Sequence, residues 1–401
     1  MRTVDVAVMG SGPAGSAAAM AARRAGLSVA LLDRAAFPRD KLCGGGVTGR
    51  AVAQMRAIFG REVTPELFLT SHRVRFAAQE RELGRIEDAP ALHLTMRRDF
   101  DAMLHAEAVA AGAEPWLRVR VAAIDPEARR LELADGRRLG FGVLIGADGV
   151  NSQVARSLFG RAFDPATIAF ALEVEAPAVT DDTVEIDLDA APWGYAWAFP
   201  KAGSLTLGVG GLHRANPDMK SRLAAYLARH GAGAEQARCK GAFLPAGDFR
   251  PVPGRGAVLL AGDAAGLVDP MTGEGIGHAL LSGRLAAEAA AAALAAGAPE
   301  TATRRYCAAL APLHAELRMA RTLQRLLFGR PTHAMMLRIV AARPSMQRRM
   351  LALLAGEIDH ADIRRGLFRR LAVHAAATVL TGTLTGALTG ALTGLRRRAP
   401  R

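Results

Sequence analysis

The chain has 401 residues, half of them hydrophobic, and a formal charge of +13. That length allows two domains or one large interleaved α/β body with a substantial core. The cysteines, Cys43, Cys239 and Cys307, are odd in number and far apart, so neither a disulfide framework nor a metal site is implied, and a reducing cytoplasm fits.

The chain opens directly on a strand, without the basic region and apolar stretch of a signal peptide. The positive charge is nearly all arginine, lysine occurring only at Lys41, Lys201, Lys220 and Lys240. Aromatic residues are sparse and no nucleic-acid motif is present, which argues against a nucleic-acid partner. A solvated basic surface, an anionic membrane or a pyrophosphate-bearing ligand remains compatible with the charge. The expectation is a cytoplasmic protein, with peripheral contact at a membrane left open.

The first element organises the rest. Val4 to Met9 is an apolar strand feeding Gly10-Ser11-Gly12-Pro13-Ala14-Gly15, and an Ala-rich helical stretch follows to Ala25. A second apolar strand, Ser28 to Leu32, ends in Asp33-Arg34. A G-x-G-x-x-G between strand and helix, with an acid about 20 residues on, is a dinucleotide-binding pattern. Gly10 permits the tight turn, Gly12 leaves room for a pyrophosphate, and Gly15 lets helix and strand pack closely. Pro13 and Ala14 open the helix, whose free N–H groups face the phosphates. Asp33 suits a ribose diol and would repel a 2′-phosphate.

Residues 34–50 form a loop containing Lys41-Leu42-Cys43-Gly44-Gly45-Gly46. Three consecutive glycines suit backbone passing close to a flat ligand. Helical spacing runs from Arg97 to Ala111. A hairpin is expected from Val119 to Ile124 and Arg130 to Leu133, with Ala134-Asp135-Gly136 as a turn. The buried strand Phe141 to Ile145 then delivers Gly146-Ala147-Asp148-Gly149. Between about 165 and 245, short alternating runs read as an antiparallel sheet, interrupted by a helix near Met219 to Arg229. The first pattern returns at Ala257 to Leu260, leading into Ala261-Gly262-Asp263-Ala264-Ala265 and a long Ala-rich helix from Gly275.

The expected fold is α/β. A discontinuous Rossmann-like domain (1–164 and 246–300) carries an inserted antiparallel-sheet domain (165–245). A helical region (301–370) and a basic tail (371–401) with a Leu-Thr-Gly repeat follow. The tail nearly matches a membrane span in length, but its Thr and Gly make it a poor one.

These three motifs in this order resemble the p-hydroxybenzoate hydroxylase superfamily of FAD-dependent oxidoreductases. The resemblance puts Asp148 near the pyrophosphate, Asp263 and Gly262 at the ribityl side, and Arg97 in contact with FAD. The stretch Pro270 to Gly277, with Gly273, Gly275 and Ile276, would face the flavin pyrimidine edge. Two further segments narrow the likeness. Pro38 to Gly46 resembles the Pro-x-x-Lys-x-Cys-Gly-Gly-Gly loop of geranylgeranyl reductases. Pro192-Trp193-Gly194-Tyr195-Ala196-Trp197-Ala198-Phe199-Pro200 resembles their Pro-x-x-Tyr-x-Trp-x-Phe-Pro segment.

The resemblance covers roughly residues 1–330 and implies reduction of isolated C=C bonds in a prenyl chain. Reduced flavin would supply a hydride, with electrons from NADPH or reduced ferredoxin. Cys43 is then the first candidate for proton donor, and Gly44 and Gly45 would lie at the cofactor with it. Tyr195, Trp197 and Phe199 alternate along a strand, so they share a face and can line an apolar tunnel. Lys201 or Arg39 is a candidate for an anionic head group. Two other readings stay open: a flavin monooxygenase or halogenase acting on an aromatic compound, and an electron-transfer flavoprotein feeding quinone. The second usually needs four clustered cysteines for an iron–sulfur centre, which the chain lacks.

Overall fold

The computed structural model describes residues 1–78, 80–177, 181–232 and 239–366. The Thr-Gly repeat tail lies outside them. Two large sheets, a three-stranded one (Gly46–Val47, Leu92–Leu94, Leu69–Ser71) and a set of C-terminal helices meet around a cavity.

The first sheet has five parallel strands in the order Val258–Leu260, Arg138–Gly146, Arg2–Met9, Val29–Asp33, Glu114–Leu117. Three antiparallel strands, Val121–Asp125, Arg130–Leu133 and Gly254–Arg255, extend it to eight among the described residues. Val6 pairs with Val29 on one side and Val143 on the other. Central strands covered on both faces need continuous apolar runs, which is why Val6, Ala7, Val8, Leu31, Val143 and Leu144 are all fully buried. The helices Pro13–Arg24 and Ile276–Ala295 pack together on one face through small residues. A Cβ on Gly283 would stand only 2.0 Å from the Ala14 carbonyl oxygen, so the two backbones touch.

The second sheet has seven strands in the order Lys240–Leu244, Ala169–Pro177, Ser204–Leu212, Gly194–Lys201, Val184–Asp187, Val74–Ala78, Arg81–Ile86. Here the expected boundary is corrected. The sheet is not confined to 165–245, because Val184–Asp187 pairs in parallel with Val74–Ala78. That parallel pair is non-local, and alternation within one stretch of sequence cannot signal it. The first core also runs past residue 300: Tyr306, Leu310, Leu313 and Leu317 of the helix Ala302–Phe328 are buried with the central sheet. The other end of that helix packs Leu323, Leu327 and Phe328 beside Met271, Trp193 and Tyr195.

The loop after Asp33 resolves into a short strand, Gly46–Val47, and a helix, Gly49–Phe59, that the glycine run had hidden. Thr48 caps this helix, its hydroxyl accepting the Ala51 N–H at 3.3 Å. Among the described residues, no helix is long and apolar enough to cross a membrane.

Candidate active site

The cavity holds about 1220 Å³. This exceeds the roughly 300–1,000 Å³ of ordinary small-molecule pockets. It runs from the Gly10–Ala14 turn, past Cys43 to Gly45, to the second sheet and the helix Ala302–Phe328.

At one end the contacts are made by backbone. Gly10 has φ +96° and donates its N–H to the Leu32 carbonyl at 2.7 Å. A Cβ there would stand 2.3 Å from the Ala147 oxygen, so only glycine fits. Gly12, Pro13 and Ala14 line the cavity where the helix begins, and no side chain caps the free N–H groups. Gly15 does not reach the cavity. It lies against Gly10 and Val8, where it sets the helix–strand approach. Asp33 accepts the Ser11 N–H at 2.8 Å and the Ala35 N–H at 2.9 Å, and Arg34 is exposed beside it.

Arg39 belongs to this end as well, which corrects its head-group assignment. Its Nη1 is 3.4 Å from Asp101 and its Nε 3.9 Å from Asp33. Its guanidinium lies over the Phe37 ring at 4.8 Å. Asp101 is fully buried and also accepts both arms of Arg97, at 2.7 and 3.0 Å. Burial opposes charge on Arg97, but Asp101 and then the Cys43 sulfur outweigh it and push its pKa up. Arg97 is therefore a fixed cation bridging the dinucleotide end and Cys43. The sequence reading missed Asp101, although its spacing of four from Arg97 was a usable signal. It also missed His105, whose Nδ1 is 2.6 Å from the Ser11 hydroxyl.

Asp148 lines the cavity, but its carboxylate is engaged within the chain. It accepts the N–H groups of Gln153 at 2.6 Å and Val154 at 3.2 Å, and the Ser152 hydroxyl. It thus holds the start of the helix Gln153–Phe159. Asp263 differs: it lines the cavity and its carboxylate has no hydrogen-bond or ion-pair partner among the described residues. Its Oδ1 is 3.6 Å from where a Cβ on Gly275 would stand. Gly262 is one step removed, packed on Ala14 and Ala279 with its N–H on the Ser282 hydroxyl at 2.9 Å. Gly273, Gly275 and Ile276 face the cavity at the uncapped start of the helix Ile276–Ala295. An unpartnered carboxylate, glycine cradles and two open helix starts fit a dinucleotide.

The glycine loop lies on the aromatic strand. Gly45 has φ +76°, its N–H donates to Cys43 Sγ at 3.4 Å, and its carbonyl accepts the Thr95 N–H at 2.9 Å. A Cβ on Gly44 would stand 3.0 Å from both Trp197 Nε1 and the Phe199 ring. Tyr195, Trp197 and Phe199 follow one another with ring centroids 5.9 and 6.4 Å apart, and all three line the cavity. Trp197 Nε1 is buried without a hydrogen-bond partner among the described residues. The Tyr195 hydroxyl donates to the Thr272 carbonyl at 2.6 Å, joining the aromatic strand to the loop before Ile276. Burial, with Asp269 and Cys43, pushes that phenol up and keeps it a donor.

Two buried charges near Cys43 were not anticipated in this role. Glu173, only 7% exposed, accepts the Cys43 N–H at 3.0 Å. Lys201 is 5% exposed and donates to the Thr206 hydroxyl, so it is not at a head-group mouth. Burial pushes Lys201 down and Glu173 up. A further buried charge secures the opposite wall. His360 Nε2 is 2.9 Å from Asp269 and its Nδ1 3.1 Å from Glu316. Burial opposes its charge, but both carboxylates raise it to about 9. Asp269 accepts the N–H groups of Met271 and Thr272. His360 thereby holds the C-terminal region to the loop that carries Gly273.

Comparison with known proteins agrees with this architecture. A family model described as FAD dependent oxidoreductase matches residues 5–133. The chain is 34% identical over 315 residues to a menaquinone reductase of Mycobacterium tuberculosis, covering 71% of this chain and 76% of that one. It is 34% identical over 318 residues to a geranylgeranyl diphosphate reductase of Rhodobacter capsulatus, covering 74% and 77%. A solved geranylgeranyl bacteriochlorophyll reductase-like protein of Thermoplasma acidophilum superposes with a TM-score of 0.64 at 21% identity, covering 88% and 92%, and supports the fold. The chain belongs to the geranylgeranyl reductase family of FAD-dependent oxidoreductases.

Proposed function

We propose that this oxidoreductase reduces isolated C=C bonds of a prenyl chain, with Cys43 as the proton donor. The observation that carries the reading is the seating of Cys43. Its loop lies against Trp197 and Phe199 in the same cavity as the glycine turn and Asp263. The family relationship to a geranylgeranyl diphosphate reductase supports the substrate class.

When bound and reduced, FAD supplies the hydride. The chain's own residues do the rest. Gly10, Gly12 and the helix start at Pro13 would hold the dinucleotide, and Asp263 would accept hydrogen bonds from it. The N–H groups at Gly275 and Ile276 would be free to meet negative charge on the reduced cofactor. Tyr195, Trp197 and Phe199 exclude water and align an apolar chain beside Cys43. Cys43 Sγ then gives its proton to the carbon that does not take the hydride. An unactivated alkene has no other handle, so donor placement sets the rate. The proposed electron source is NADPH or reduced ferredoxin. A lipid substrate also implies contact with a membrane surface, which liposome flotation of the full chain measures.

The test is anaerobic. FAD-loaded protein reduced with dithionite is given geranylgeranyl diphosphate, and mass spectrometry follows gain of two hydrogens per reduced bond. No gain there, with gain on a prenylated quinone, would move the substrate toward that of the menaquinone reductase relative. No gain on either, with NAD(P)H oxidation in air stimulated by an aromatic compound, would replace the reading with a monooxygenase.

A further inference from the structure

Each reduced double bond consumes one proton inside a cavity walled by aromatic rings, so a sulfur donor must be recharged before it acts again. The structure offers a route. Strand register puts Thr206 opposite Phe199 on one neighbour and Glu175 on the other. Lys201 and Phe199 are two apart on their strand, as are Glu173 and Glu175 on theirs, so all five share the cavity side of the sheet. Lys201 Nζ donates to Thr206 Oγ1, and that hydroxyl donates to Glu175 Oε2 at 2.9 Å. The row starts on a lysine 5% exposed, crosses a fully buried threonine, and ends on an exposed glutamate. At its inner end, Lys201 Nζ is 3.2 Å from where a Cβ on Gly45 would stand, and the Gly45 N–H is bonded to Cys43 Sγ.

We propose that Lys201, Thr206 and Glu175 carry protons from solvent to Cys43, with Lys201 as the group that reprotonates the sulfur. The inference rests on Cys43 acting as proton donor. After the Cys43 S–H bond breaks in favour of carbon, the thiolate takes a proton from the Lys201 ammonium. One N–H bond breaks, one S–H bond forms, and no electrons move. The Lys201 amine then takes the Thr206 hydroxyl proton as Thr206 takes one from Glu175, which collects it from water.

Four charged groups bear on this step besides Glu175. Arg97, from the helix Arg97–Ala110, and Lys201 are the cations beside the sulfur. Glu173 is the carboxylate on the Cys43 N–H, and Lys240 is paired opposite Glu173. Burial pushes Lys201 down, while Glu175, the Cys43 sulfur and Glu173 favour its charge, so its proton is held less tightly than that of an exposed lysine.

The experiment uses FAD-loaded full-length protein with Cys239 and Cys307 replaced by serine, and has two readouts. The first is the rate of Cys43 alkylation by iodoacetamide against pH. Lys201→Met should move the inflection upward by about one pH unit, while Lys201→Arg should leave it in place because the cation is kept. An unmoved inflection in Lys201→Met would separate Lys201 from the sulfur and overturn the proposal. The second is reduction of geranylgeranyl diphosphate under excess dithionite. In Thr206→Val and Lys201→Arg, turnovers after the first double bond per site should be at least about ten-fold slower than that first one. Unchanged later turnovers in both variants would equally overturn it. If the parent reduces no prenyl chain, the functional reading fails, while the alkylation profile still decides whether Lys201 controls Cys43.

Discussion

At the dinucleotide end of the cavity the ligand-facing groups are mostly backbone, drawn from one short stretch, Gly10 to Ala14, with Asp33 and Asp263 at its margins. At the proposed substrate end they are side chains from distant segments. Cys43, Arg97, Glu173, Tyr195, Trp197 and Phe199 meet there, and the Tyr195 hydroxyl ties them to the loop through Thr272. The first end depends on the absence of side chains, so its tolerance is steric and abrupt. The second depends on paired polar groups and packed rings, so its tolerance is graded.

Matched glycine substitutions make that difference measurable, and the effect is the largest expected. A Cβ on Gly15 would stand 1.7 Å from the Gly10 carbonyl oxygen, backbone against backbone. Gly15→Ala should cost more than the ~1–3 kcal/mol usual for overpacking and yield protein without bound FAD. The nearest atoms to a Cβ on Gly44 belong to the Trp197 and Phe199 rings, at 3.0 Å, and rings can turn. Gly44→Ala should stay within about 1–3 kcal/mol and keep its flavin absorbance. Equal flavin loss in both would erase the distinction between the ends.

Chemistry at the substrate end should separate from cofactor retention at the other. Cys43→Ser should lower prenyl reduction by about 10²–10⁴-fold, the usual range for a positioned proton donor. Flavin content should be unchanged. Unchanged turnover would take Cys43 out of catalysis.

The same contrast explains what the sequence disclosed. The strand–glycine–helix start, the Asp263 strand and the long Ala-rich helix were legible because each is a local pattern with one periodicity. The paired roles of Glu173 and Lys201 were not. A charged residue inside an apolar strand such as Ala171 to Ala176 signals something unusual, but its partner is fixed by the tertiary fold, and Glu173 accepts the Cys43 N–H from 130 residues away. The parallel pairing of Val74–Ala78 with Val184–Asp187 was hidden for the same reason. The helix Gly49–Phe59 was obscured by the glycines before it, although Thr48 is a good cap.

The buried ion pair across the cavity wall makes the substrate end sensitive to pH. His360 is raised to about 9 from an ordinary value of 6.5. Its contribution is therefore complete below about pH 6.5 and is lost as pH rises through about 9. Below the lower limit it is worth about 3 kcal/mol, and that stability is lost across the window. Thermal unfolding of the wild type should fall over that window, whereas His360→Gln should start about 3 kcal/mol lower, with Asp269 left unpaired, and show a flatter profile. Parallel profiles for the two proteins would remove His360 as the cause.

The smallest effect tests whether the aromatic strand and the loop before Ile276 act as one wall. The Tyr195 hydroxyl makes a single bond to the Thr272 carbonyl, while its ring packs in the cluster with Trp193 and Met271. Tyr195→Phe keeps the ring and removes only the bond. A neutral hydrogen bond contributes about 0.5–1.5 kcal/mol, so unfolding should shift by about 1 kcal/mol and FAD content should not change. Thr272 lies one residue before Gly273, however, and that loop also carries Gly275 to the start of the cavity-lining helix Ile276–Ala295. Loosening it should raise KM for the prenyl substrate more than it lowers kcat, because the wall aligns the chain while Cys43 stays seated on Glu173 and Gly45. A fall in kcat with KM unchanged would instead place the Tyr195 hydroxyl among the groups that touch the reacting carbons, and the two ends of the cavity would then share the chemistry.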